Sequence, residues 1–181
     1  MDKRGTYAVR ISGIGEGSHN YSFELDDRFF VLFEHSEIRK GYVRADVILE
    51  KNAGNLALHF SLEGKVEVEC DRCLGLFMTE ISAGYTLFVK TGEASGDSED
   101  DVIYIGKDDH EIEVSQFLYE FIILALPYQR IHPDDSNGHS TCDPEMLKKL
   151  DAHRTRESDP ESESSTDPRW DALKNMIEKN N

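Results

Sequence analysis

An α+β domain dominated by an antiparallel sheet is predicted for this chain by two patterns. Runs such as Tyr21-Ser22-Phe23-Glu24-Leu25 and Lys65-Val66-Glu67-Val68-Glu69 alternate apolar and polar residues, the period of a strand with one buried face. Two further segments, residues 28–35 and 115–125, group their apolar residues as a helix buried on one side would. We expect a barrel-like sheet with two embedded helices and a disordered acidic C-terminal tail.

The elements follow in order. Tyr7-Ala8-Val9-Arg10-Ile11 reads as a short strand ended by Gly13 and Gly15, and residues 15–20 as a loop before the alternating run at Tyr21. Asp26 or Asp27 can cap a helix over residues 28–35, with Phe29, Phe30, Leu32 and Phe33 on one side. Residues 41–50 alternate as a strand, Asn52-Ala53-Gly54-Asn55 turns the chain, and residues 56–62 answer as its partner. Gly64 is expected to bend the chain into a separate strand, Lys65 to Glu69. Residues 77–91 read as one or two strands broken near Ala83-Gly84, followed by an acidic loop, 92–101, expected to be mobile. Two short strands, Val102-Ile103-Tyr104-Ile105 and Ile112-Glu113-Val114, precede the clearest helix. Ser115 caps that helix, Phe117, Leu118, Phe121, Ile122, Leu124 and Ala125 form its buried face, and Pro127 stops it.

The domain is expected to span residues 1–150, closing with a helix that Asp143 caps and Pro144 starts. Residues 151–166 form a charged, Ser-rich linker without large apolar residues, expected to be disordered. Residues 167–181 restore helix-start chemistry and a stripe of Trp170, Leu173, Met176 and Ile177. That stripe can dock on a partner or fold back on its own core.

Charge and composition bound the partners. The 181 residues carry a net charge of −16, which opposes broad, autonomous binding to RNA phosphates and suits contact with a basic protein. No apolar run approaches the length of a membrane span, and Met1-Asp2-Lys3-Arg4-Gly5-Thr6 leads into no apolar signal segment. Three cysteines without such a signal point to a reducing cytoplasm.

All three cysteines fall in two places. Cys70-Asp71-Arg72-Cys73 interrupts two strand-like runs, and Cys142 closes a polar segment that also holds His132 and His139. Three thiolates and one imidazole compose a four-coordinate zinc site, with His132 or His139 as the fourth ligand. The His139-Ser140-Thr141-Cys142 spacing suits adjacent ligands, whereas His132 needs the loop to fold back. Two other readings stay open. Cys70 and Cys73 can act as a thiol redox pair, although no amphipathic helix follows Cys73 to lower a thiol pKa. They can also be inert thiols packed in a hairpin. Arg72 offers either an ion pair across the turn or a recognition fork. No phosphate-cradling loop, HExxH or nucleophile elbow is present, so no catalytic site is expected.

The string Val68-Glu69-Cys70-Asp71-Arg72-Cys73-Leu74 resembles the YceD family, the large ribosomal RNA subunit accumulation proteins. So do Leu126-Pro127 closing a helix, the His132…His139…Cys142 segment, and the terminal Asp167-Pro168-Arg169-Trp170…Leu173-Lys174. The resemblance implies a non-enzymatic role in accumulating large-subunit ribosomal RNA, with a large-subunit precursor, a basic ribosomal protein or rRNA as partner. Arg72, Arg169, Trp170 and Leu173 are its candidate partner contacts. Many members carry a second, CPxCG-type knuckle that this chain lacks, so an all-cysteine zinc site is out of reach.

Overall fold

A computed structural model describes residues 6–52, 55–92 and 101–153. Seven strands and three helices run in the order β1 (Ala8–Arg10), β2 (Gly17–Leu25), α1 (Asp27–Phe30), β3 (Gly41–Asn52), β4 (Asn55–Glu69), β5 (Leu76–Thr91), β6 (Val102–Ile105), β7 (Glu111–Glu113), α2 (Ser115–Leu124) and α3 (Pro144–His153). The main sheet has the order β2-β3-β4-β5-β6, and β1 pairs with β7 in a separate ribbon.

In the main sheet β2, β3, β4 and β5 pair antiparallel in chain order, with α1 in the connection from β2 to β3 and short connections from β3 to β4 and from β4 to β5. One side of each strand is apolar, which fixes the register: Val43, Val47, Leu49, Leu58, Leu62 and Val66 all face a common core. Helix α2 seals that face, stacking Phe121 on Tyr85 and edge-on to Phe60. The β1–β7 ribbon adds Val9 and Ile112 to the same cluster. Burying these side chains contributes about 1.5–3 kcal/mol each before chain entropy is counted.

Several expectations need correction. The sheet does not close into a barrel, since α2 and the β1–β7 ribbon already cover its apolar face, and β6 pairs parallel to β5 rather than antiparallel. Strand β2 begins at Gly17, inside the expected loop. Strand β4 runs straight through Gly64, where a Cβ would strike the Tyr42 carbonyl and the Val43 Cα on β3; glycine here permits close strand approach rather than a bend. Strand β5 is unbroken at Ala83-Gly84 because its pairing with β4 continues on both sides.

The helices differ as well. Helix α1 is a single turn, capped by Asp26, whose carboxylate accepts from the Arg28 N–H. The N-cap of α2 is Val114 rather than Ser115, and the Glu113 carboxylate accepts from the Ser115 N–H instead. Helix α3 runs to His153, past Leu150, where that helix was expected to end. The expected mobile acidic loop at 92–101 and the expected disordered linker lie mostly, and the expected docking helix wholly, outside the described residues. No helix of the described residues is long and apolar enough to cross a membrane.

Candidate metal centre

The connection from β4 to β5 is a tight knuckle. The Leu74 N–H donates to the Cys70 carbonyl at 2.9 Å, and the Cys70 N–H donates to the Gly75 carbonyl at 2.9 Å. Closing the turn requires Leu74 to adopt φ +60°, a left-handed conformation uncommon for a bulky residue. Gly75 serves a different need: a Cβ there would lie 3.3 Å from the His132 ring and 3.5 Å from the Cys73 Sγ.

A second strand of chain is tied onto this knuckle after α2 ends. The Asp71 N–H donates to the Arg130 carbonyl at 2.7 Å, and the Arg130 N–H donates to the Asp71 carboxylate at 2.7 Å. Arg130 also pairs through its guanidinium with Glu37 at 3.1 Å and with Asp71 at 3.7 Å. That reciprocal pair delivers His132, whose ring lies 4.7 Å from the ring of Phe77 at the start of β5.

The loop then folds back on itself. Asp134 and Ser140 form an isolated antiparallel bridge, and the Asp135 carboxylate accepts from the N–H groups of Asn137 and His139 at 2.8 Å each. Those backbone donors, His139 first, hold the Asp135 carboxyl below its ordinary range. The Thr141 hydroxyl donates to the Pro133 carbonyl at 2.7 Å. The excursion returns Cys142 to His132, and Asp143 then caps α3 by accepting from the Glu145 N–H. Met146 and Leu147 of α3 pack against the three cysteines.

Cys70, Cys73, His132 and Cys142 therefore converge, each offering a ligand atom within 4.8 Å of the others. Cys70 and Cys142 place their sulfurs 3.7 Å apart, and the His132 Nδ1 lies 3.4 Å from the Cys73 Sγ and 3.7 Å from the Cys142 Sγ. A tetrahedral ion with Zn–S near ~2.3 Å and Zn–N near ~2.0 Å sets neighbouring ligands ~3.8 Å apart for two sulfurs and ~3.5 Å for sulfur and nitrogen. The donor set and its spacing fit such an ion. All three cysteines are free and no more than 5% exposed.

The electrostatics run the same way. Burial pushes the Cys70 thiol up, but N–H groups of Cys73, Arg72 and His132 directed at its sulfur outweigh that effect and bring it from 9.0 to about 6. Burial raises Cys142 instead, and the neighbouring Cys70 and Cys73 sulfurs add to the rise. Two sulfurs this close resist ionising together unless a cation joins them.

The remaining sequence candidates lie elsewhere. His139 points away from the cluster: its side chain is 79% exposed and sits 3.5 Å from Asp135. The compact HxxC spacing misleads because the His139 N–H and carbonyl are both used to close the loop turn. Arg72 is exposed and makes no ion pair among the described residues, since Asp71 turns to Arg130. Arg169, Trp170 and Leu173 fall outside the described residues. Sequence reasoning missed Asp71, Arg130 and Asp135, which position the ligands. Only Asp135 carried a signal, the turn-forming Asp-Ser-Asn-Gly string.

No curated protein and no solved structure matches the chain. A family model described as "Large ribosomal RNA subunit accumulation protein YceD" matches residues 58–177, a span narrower at its start than the motifs from Tyr7 onward suggested. The match includes most of β4, the knuckle, the four converging side chains and the Asp167-Pro168-Arg169-Trp170 string, and over that span the chain belongs to the YceD family.

Proposed function

We propose that this protein is a non-enzymatic assembly factor that raises the level of large-subunit ribosomal RNA by binding a basic ribosomal protein or an early assembly intermediate. The observation that carries this reading is the family match across the knuckle and its ligands. The charge of −16 supports a protein partner over broad contact with RNA phosphates. Arg72, exposed on the knuckle, and Arg169, Trp170 and Leu173, within the matched stretch, are the proposed partner contacts. The protein acts in the cytoplasm, where free thiols persist.

Zinc is the ion we assign to Cys70, Cys73, His132 and Cys142, in a structural role. The ligand set is closed at four, leaving no open position for substrate. Its contribution is to hold the polar segment 130–143 against the end of the sheet, which little apolar burial would otherwise secure. A thiol reductase is the weaker reading, because β5 rather than a helix follows Cys73 and the thiols are buried from any disulfide substrate.

Deleting the gene should lower mature large-subunit rRNA relative to small-subunit rRNA, and the intact gene should restore the ratio. An unchanged ratio defeats the assembly reading.

A further inference from the structure

We propose that the free edge of β5, from Met78 to Thr86, is a docking site for an extended basic segment of another protein, which adds to the sheet as a strand. The β4–β5 register runs without a bulge from Leu56↔Val89 to Glu69↔Leu76, so backbone N–H groups along β5 alternate strictly between its two sides. The Phe88 N–H donates to the Asp101 carbonyl at 2.8 Å and the Gly92 N–H to the Ile105 carbonyl at 3.0 Å, both on the β6 side. Even-numbered residues therefore point their backbone groups away from β4.

Strand β6 covers only Phe88 to Thr91. Below it, the N–H and C=O groups of Met78, Glu80, Ser82, Gly84 and Thr86 have no backbone partner among the described residues. That is an open ladder of about 30 Å at ~3.4 Å per residue.

Sheets usually blunt an edge of this length with proline, lysine or a bulge. The run Met78-Thr79-Glu80-Ile81-Ser82-Ala83-Gly84-Tyr85-Thr86 has neither proline nor lysine, and its one charge, Glu80, is paired with Lys65 at 2.8 Å. Such an edge is built to receive a strand.

Charge and burial select the occupant. The outward side chains next to the edge include Glu63, Glu67, Glu69 and Glu80, with Lys40 pairing Glu67 and Lys65 pairing Glu80. A second copy would bring −16 to −16, whereas a basic segment is attracted. On the inner side Thr79, Ala83 and Tyr85 are only half-buried, and apolar side chains entering there would complete their burial. The fitting partner alternates lysine or arginine with apolar residues. Nothing here depends on the ribosomal reading, and failure would leave the rRNA comparison untouched.

The full-length protein titrated by calorimetry with a synthetic peptide of alternating lysine and valine tests this. The comparison peptide is the same sequence N-methylated at every backbone nitrogen, which keeps the charge and removes the ladder on both of its edges. The unmethylated peptide should bind about tenfold tighter or more, since several backbone hydrogen bonds are at stake. Ser82→Pro removes an N–H that β4 does not use and should erase that difference. On the unmodified protein, the amides of Met78, Glu80, Ser82, Gly84 and Thr86 should slow their hydrogen exchange when the peptide binds. Equal binding of the two peptides shows electrostatic adhesion only and overturns the proposal. So does slow exchange of those five amides before any peptide is added, which would mean that the chain covers its own edge.

Discussion

Between Val68 on β4 and Cys70 in the turn that follows, the source of cohesion changes. Val68 belongs to the sheet core, where more than twenty buried apolar side chains are held by one another and by backbone ladders on either side. Cys70 belongs to a cluster of three thiols, with Phe77, Ile131, Met146 and Leu147 as its apolar surroundings. The core needs no ion to hold it, whereas the knuckle draws its segments from far along the chain. Cys70 and Cys142 are 72 residues apart, and the loop between His132 and Cys142 is fixed mostly by Asp135 and Thr141. Dense apolar burial tolerates the loss of one polar contact, while a cluster of ligands does not tolerate the loss of one ligand.

The largest expected effect comes from breaking the first region. Leu118, on α2, is fully buried, and Leu118→Ala should cost about 2–5 kcal/mol of global stability. Urea unfolding followed by far-ultraviolet circular dichroism measures that loss. An effect below about 1 kcal/mol would mean that α2 does not seal the sheet.

Breaking the second region should be local. Elemental analysis should give one zinc per chain for the unaltered protein; Cys70→Ser or His132→Ala should abolish it, whereas His139→Ala should retain it. Amides from Arg130 to Leu147 should then exchange faster while those of β3 and β4 keep their protection. Zinc loss with His139→Ala, or zinc retained after Cys70→Ser, contradicts the ligand assignment.

Acid sharpens the contrast. In metal-free protein the depressed Cys70 thiol stabilises the folded knuckle fully above its ordinary value of 9.0, and that contribution fades as pH falls through about 6. Cys142 has the opposite sign: its raised pKa stabilises the fold below its ordinary 9.0 and is lost as pH rises through its folded value. Thiolate absorbance should show one thiol titrating near 6 and another above 9.0, with knuckle protection greatest between them. Protection of β3 and β4 should be flat across that window.

The smallest effect is expected from Gly75→Ala. Its Cβ at 3.3 Å from the His132 ring should displace the ring slightly, weakening zinc retention against a chelator while leaving the urea midpoint unchanged. A shifted midpoint would tie the knuckle to the core more closely than the two clusters indicate.

Alternation by itself was enough to reveal β2, β3, β4 and β5, because a strand with one buried face writes its period into the chain. The same reasoning failed at Gly64 and at Ala83-Gly84. Small residues look like breaks in a sequence, but on a paired strand they let neighbouring backbones approach or leave the ladder intact. The barrel failed for a different reason: closure depends on what else covers the apolar face, and the cover comes from α2 and a ribbon whose two strands are about a hundred residues apart.

The residue types of the candidate metal centre were legible, since three cysteines and two histidines in two segments admit few arrangements. Choosing between His132 and His139 was not a matter of spacing. The choice belongs to the reciprocal Asp71–Arg130 pair, which lays His132 on the knuckle, and to the Asp135 turn, which spends the backbone of His139 and leaves its ring in solvent. Local composition thus determined the strands and the donor set, because both follow from side-chain chemistry along a few residues. The tertiary structure alone decided which donors meet and which strand edge has no backbone partner among the described residues, because both depend on where distant segments hydrogen-bond.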